Sequence, residues 1–267
     1  MSHVDKAVLP MTSSTAAVPL KRRMLHAAGW LVGGNVASQL LRLSSNLILT
    51  RLLVPEAFGL VAAVNTLYVA LVLFSDLGIW QSVVKSERGH HPRFLGTAWT
   101  VQLLRGGLLC VVVLAIALAL HVAAGAGAFA AGTVYADPRL PLMMAAFAFS
   151  ALLQGAESMK IATAQRELHG GHLARLEIGS QLVATAVTLA LAFATHSVWA
   201  LLIGTLVSSA ARTAGSHLLM PGHAARPCWD RSCAREIVGF GKWIFVSSII
   251  GFLAANGEKI ILGGSLA

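Results

Sequence analysis

The sequence predicts an all-α polytopic membrane helix bundle, and three observations carry that prediction. First, of 267 residues 56% are hydrophobic and only 12% charged, with a mean hydropathy of +0.73. Soluble domains carry roughly a quarter charged residues, enough to cover a globule with a polar skin; this chain lacks them. Second, the apolar residues fall in runs of the length that crosses a bilayer as a helix, about 20 residues. Third, the basic residues sit between those runs, and almost all on alternate sides.

Six such windows precede residue 221, at 26–53, 57–81, 97–123, 140–160, 176–195 and 198–220, and a seventh opens at 237. The fifth and sixth are separated by argument. Between Glu177 and Arg212 lie 34 residues without an acid, Lys or Arg. As one helix these would run to about 51 Å, far beyond the hydrocarbon core, so the chain is expected to turn at Thr195-His196-Ser197. The Gly/Ala-rich stretch 124–136, ending at Asp137-Pro138, predicts a loop or a short interfacial helix. Residues 1–23, which end in Lys21-Arg22-Arg23, predict a flexible cytoplasmic tail without a signal peptide. The expected organisation is this tail, a transmembrane unit over 24–220, a cytoplasmic linker at 221–236 and a further helix from 237 to 267.

The net charge of +9 serves orientation. With the N-terminus inside, fourteen Lys and Arg fall in inner segments and two, Arg51 and Arg139, in outer ones. This positive-inside bias fits a cytoplasmic N-terminus and six spans before the linker, and the scattered basic residues predict no nucleic-acid partner. Cys110, Cys228 and Cys233 make no disulfide framework. Nor does the chain carry a Walker motif, a nucleophile elbow or a zincin motif. The sequence therefore predicts no enzyme, no catalytic residue, no cofactor and no metal.

Several patterns only imitate sites. Gly125-Ala-Gly127-Ala-Phe-Ala130 resembles a dinucleotide fingerprint without the surrounding βαβ unit. His169-Gly-Gly-His172 and His223…Cys228…Cys233 lack zinc spacing and predict solvated loops. Gly29-x-x-x-Gly33 predicts close helix packing. A shift of 213 residues pairs Trp30 with Trp243, Leu40 with Leu253, Ile48 with Ile261, Leu49 with Leu262 and Leu53 with Leu266, little above chance in so apolar a chain.

The informative residues are the ionisable ones inside the windows. Each costs several kcal/mol by insertion scales and so faces a cavity or a partner. Arg42, Asp76, Arg105, Glu157, Arg212, Glu258 and Lys259 qualify. Arg42 and Asn46 share one face of the first helix, which also carries Asn35, Ser38, Gln39 and Ser45; such a helix suits the wall of a wet cavity. Guanidinium groups bind phosphate oxygens bidentately. The expected site is therefore Arg42 with Asn46, Arg105 with Gln102 one turn before it, and Asp76. The bland alternative stays open: Arg42 paired with Asp76 and Arg105 with Glu157 as structural ion pairs, with Arg212 snorkelling to the interface.

Asn46-Leu-Ile-Leu-Thr-Arg-Leu-Leu-Val-Pro-Glu-Ala-Phe-Gly59 resembles the junction between the first two helices of lipid-linked oligosaccharide flippases, the polysaccharide branch of the multidrug/oligosaccharidyl-lipid/polysaccharide exporter superfamily. Phe74-Ser-Asp-Leu-Gly-Ile79, Phe94-Leu-Gly-Thr-Ala-Trp99 through Gln102 and Arg105-Gly106, and Phe240-Gly-Lys-Trp243 fit the same pattern. The resemblance spans roughly residues 24–267. It implies one six-helix lobe of an exporter fold plus the start of a seventh helix, and structural roles for Arg51, Pro55, Glu56 and Gly59, the last through close packing. It also implies a function: undecaprenyl-diphosphate-linked oligosaccharide flipped from the cytoplasmic to the periplasmic leaflet of the bacterial inner membrane for O-antigen, exopolysaccharide or capsule. The partners implied are that glycolipid, membrane lipid and the polysaccharide polymerase machinery. Family members have twelve or more spans, so a fragment, a truncated product or half of a dimer is expected. The alternatives are a multidrug exporter of the same superfamily, a membrane-embedded glycosyltransferase and a nonfunctional lobe.

Overall fold

The computed structural model describes residues 20–129, 133, 135, 137–222, 225–244, 247 and 250. Among them the regular structure is helical: α1 (Leu20–Leu52), α2 (Pro55–Phe74), α3 (Ile79–Lys85), α4 (Pro92–Gly125), α5 (Arg139–Gly155), α6 (Lys160–Arg166), α7 (Gly170–Thr195) and α8 (Trp199–Leu218), with α9 over 231–244. Residues 1–19, Gly257, Glu258, Lys259 and Leu253, Ile261, Leu262 and Leu266 of the repeat pairs lie outside the described residues, as do His223 and 130–132, 134 and 136.

Each predicted window holds a helix, and α4 shows why. Its outer face presents Leu104, Leu108, Val111, Leu118 and Val122 at helical spacing, all more than 60% exposed, while Phe94, Ala98, Gly106, Leu109 and Val113 on the other side are buried. A helix with one face buried in protein and an equally apolar face left bare suits lipid rather than water. α4 and α7 are long and apolar enough to cross a membrane by themselves, and the bent pairs α2–α3 and α5–α6 qualify if each is one span. α1 does not reach that mark, because Asn35, Gln39, Arg42 and Asn46 interrupt it along its length.

The main packing pairs are α4 with α5, α1 with α7, and α7 with α8. Leu49, Val64, Leu109, Val113, Met143, Met144, Phe147 and Leu202 form the largest core cluster. α4 and α5 approach through Gly106 and Gly155: a Cβ on Gly106 would stand 2.8 Å from Gly155 Cα and 2.7 Å from Ala151 O. Without an apolar solvent to expel, membrane helices gain from this backbone proximity. The predicted Gly29/Gly33 seam is corrected: a Cβ at either meets nothing within 4 Å, and Gly34 faces Ala174 instead. One residue along a helix is a turn of about 100°, so the contact belongs to the neighbouring phase. Gly59, expected to allow close packing, is likewise open, whereas Pro55 opens α2 at its first position, where a missing N–H costs nothing.

Two windows read as single spans are bent: α2 and α3 meet at 44°, α5 and α6 at 57°. Gly78 closes the first break with φ 56°, and its amide donates to Asp76 Oδ1 at 2.9 Å. The second, Ala156–Met159, is filled from α8: Ser158 N donates to Ser216 Oγ at 2.9 Å, Thr213 Oγ1 to Leu153 O at 2.8 Å, and His217 Nε2 lies 2.9 Å from Ala156 O. α7 ends at Thr195, and His196 turns the chain with φ 47°, at the turn the length argument required. α9 starts at an Asp230 cap, whose Oδ1 accepts the amides of Ser232 and Cys233 at 2.8 and 3.1 Å, and is fastened to the α3 end by Glu236, which accepts from Ser86 Oγ at 2.6 Å and pairs with Arg88.

Candidate functional site

Two concavities open on the polar faces of α1, α4, α7 and α8. The larger holds about 700 Å³ and is walled by Asn35, Tyr68, Gln102, Arg105, Gln154, Glu157, Glu177 and Arg212, among apolar neighbours. The smaller, about 310 Å³, is walled by Arg42, Ser45, Asn46, Asn65, Gln181, Thr185, Thr188 and Thr205. Ser208 borders both. Both lie where the sequence departs from an apolar pattern, since a polar side chain in a span has to face a cavity or a partner.

The arginines of the larger cavity are answered from within the protein. Arg212 on α8 donates from Nε to Glu157 Oε1 at 3.0 Å, and its NH1 bonds Glu177 on α7. The Glu157 side chain is 8% exposed, so the pair closes the α5–α6 break with its charge compensated. Arg105 donates from Nε to Ser75 Oγ at 3.2 Å and from NH2 to Val72 O at 3.1 Å. It thereby adds a cation at the end of α2, to a carbonyl that also accepts from the Ser75 amide and hydroxyl, where the helix dipole favours positive charge.

The structure therefore corrects the bland pairing. Glu157 pairs with Arg212 rather than Arg105, and Arg212 is held by two acids instead of snorkelling. Asp76 closes the turn at Gly78 and stands on the wall of neither cavity. The other expected residues divide: Gln102 and Arg105 fall in the larger cavity, Arg42 and Asn46 in the smaller.

Arg42 differs from the other two. It is exposed at the lip of the smaller recess and forms no ion pair with an acid among the described residues. Around it stand hydroxyls and amides, which donate and accept without neutralising charge. Tyr68, Gln154 and Glu177 are site residues that the sequence argument passed over. Tyr68 and Gln154 join across the cavity, Gln154 Nε2 donating to the phenol oxygen at 3.0 Å. The available signal was a single polar residue inside an apolar run. Among the described residues no group of three His, Cys, Asp or Glu is placed to hold a metal.

Residues 48–267 match the family model described as polysaccharide biosynthesis protein. No curated protein and no solved structure matches the chain.

Proposed function

The chain belongs to the polysaccharide biosynthesis protein family, and on that premise we propose that it flips an undecaprenyl-diphosphate-linked oligosaccharide from the cytoplasmic to the periplasmic leaflet of the bacterial inner membrane. The family makes it a polysaccharide-related membrane transporter. The observation that supports the finer reading is Arg42: a permanently charged guanidinium at a polar recess of about 310 Å³ with no acid on its wall among the described residues. A cation kept uncompensated among apolar helices is costly, and a diphosphate is a counter-ion that lowers that cost while it crosses.

No covalent chemistry is required. Arg42 and Asn46 screen and hydrogen-bond the phosphates, charge-assisted contacts being the stronger kind. The exposed Leu40, Leu43 and Leu47 on α1 leave an apolar path beside the recess for the isoprenoid tail. An exporter of organic cations would call for free carboxylates instead, and both acids on the larger cavity's wall, Glu157 and Glu177, are engaged by Arg212.

The test is export in cells that lack their own flippase and depend on this protein for surface polysaccharide. Arg42→Ala is expected to reduce surface polysaccharide to background at unchanged membrane abundance, with Arg42→Lys retaining part of it. Full export by Arg42→Ala would remove the recess from the transport path.

A further inference from the structure

We infer that residues 225–230 lie along the bilayer surface rather than in open water, and that the pocket they share with the start of α4 takes the headgroup of an anionic phospholipid. The inference does not depend on which solute the chain carries. Its placement follows from α4. Arg93, Thr100, Leu104 and Val111 succeed one another at seven, four and seven residues and so share one helix face. From Leu104 to Val122 that face is bare and apolar, a rise of about 27 Å, close to the hydrocarbon thickness. Just before it, the segment 225–230 crosses α4. Thr100 Oγ1 donates to Cys228 O at 3.0 Å, the Asp230 amide to Thr97 Oγ1 at 3.2 Å, and Cys228 Sγ to Arg93 O at 3.3 Å. Gly96 admits this crossing: a Cβ there would stand 2.5 Å from Arg226 O. Trp229, between the two residues bonded to Thr100 and Thr97, is 58% exposed. Thr100 is one helical turn, about 6 Å, from Leu104, the level at which an indole meets the edge of the hydrocarbon.

The pocket holds about 480 Å³, and its wall includes Arg93, Arg226, His90, Thr163, Glu167 and Leu95. Both arginines are exposed, and neither forms an ion pair with an acid among the described residues. Glu167, the acid on this wall, lies 3.8 Å from His90 Nδ1 and 3.5 Å from His169 Nδ1. Two guanidiniums therefore face one carboxylate that already has imidazoles beside it, and the balance favours an anion. Guanidinium forks match phosphate oxygens. Basic pockets between membrane helices take anionic headgroups at the cytoplasmic surface, the side to which the basic-residue bias assigns this end of α4. The apolar face decides for a lipid over a soluble phosphate. A free phosphate uses the arginines alone, whereas a phospholipid also lays its chains along Leu104, Leu108 and Val111, each more than 60% exposed. A zwitterionic headgroup brings its own cation to the arginines and gains less.

The test uses the purified full chain with phosphatidylglycerol and phosphatidylcholine of matched chains, bound lipid being read by native mass spectrometry. The wild type is expected to hold phosphatidylglycerol about tenfold more tightly: two arginines at about fivefold each near an anionic headgroup, less the opposing Glu167. Arg93→Gln combined with Arg226→Gln should bring the two lipids to parity. Equal wild-type affinity overturns the pocket, as does a preference that survives the double substitution. Glycerol 3-phosphate that displaces the lipid at equal concentration would assign the pocket to a soluble phosphate and overturn the lipid as its occupant. A second measurement needs no arginine variant. In vesicles the Trp229 emission, taken as wild type minus Trp229→Phe, is expected to be quenched by brominated phosphatidylglycerol, and more than by brominated phosphatidylcholine. Quenching by neither places 225–230 in open water and ends the inference; equal quenching by both leaves the segment at the bilayer but overturns the anionic preference.

Discussion

The two concavities share Ser208 and treat charge in opposite ways. In the larger, Arg212 meets two carboxylates and Arg105 meets a helix-end carbonyl and a hydroxyl. In the smaller, Arg42 stands among amides, hydroxyls and apolar groups, with no acid on the wall among the described residues. An arginine at membrane depth is thus no indicator of function by itself. What distinguishes scaffold from binding group is whether the protein supplies the counter-charge, and that depends on which helices lie side by side.

The comparison is broken most forcefully at Arg212. Arg212→Ala leaves the buried Glu157 without its cation and should cost about 3 kcal/mol, read as a lower unfolding temperature in detergent. Adding Glu157→Gln and Glu177→Gln should restore most of the loss; a stable single variant would show that the pair is no scaffold. Next comes the seam that sets the larger cavity's width. Gly106→Val forces α4 and α5 apart and should cost about 2 kcal/mol by overpacking, again visible as a thermal shift. Arg42→Ala comes third: with no acid to strand among the described residues, its stability should change by less than about 0.5 kcal/mol while export is lost. A large destabilisation there would place Arg42 with the scaffold arginines.

The smallest effect lies at α9. Hydrogen bonding from Ser86, with Arg88 beside it, holds the Glu236 carboxyl below its ordinary range, and the Ser232 hydroxyl with the Cys233 and Ser232 amides brings Asp230 to about 2. Both acids are depressed in the folded state, so their contribution is complete above the usual carboxylate range and fades as pH falls toward 2. Proteolytic nicking at 225–230 should accelerate between neutral pH and pH 3, and Glu236→Gln should shift that onset. These groups are partly exposed, and salt should blunt the effect.

The sequence made the helices legible because bilayer thickness and backbone satisfaction leave few alternatives. The turn at Thr195–Ser197 followed from length alone. The bends at Ser75–Gly78 and Ala156–Met159 did not emerge, because a hydropathy window averages over three or four polar residues; Asp76-Leu-Gly78 was nonetheless a turn signal inside an apolar run. Partner choice was the least legible. Arg105 and Glu157 flank the same cavity, yet Glu157 turns to α8 and Arg105 to the end of α2, a choice made by helix neighbours rather than by sequence separation. Gln102 was recognisable as a polar residue near Arg105, but its Oε1, buried without a hydrogen-bond partner, appears only once Gln154 and Glu157 bring their carbonyls to its nitrogen.

The short helices α3 and α6, which follow the two bends, are tied together by one side chain: Arg166 NH1 donates to Val83 O and Val84 O at 3.1 Å and also bonds Ser86 O. With α3 and α6 in direct contact, tilting one drags the other through that guanidinium. The two short helices are consequently one mechanical unit at this end of the bundle, and loss of that single guanidinium would free each to settle separately.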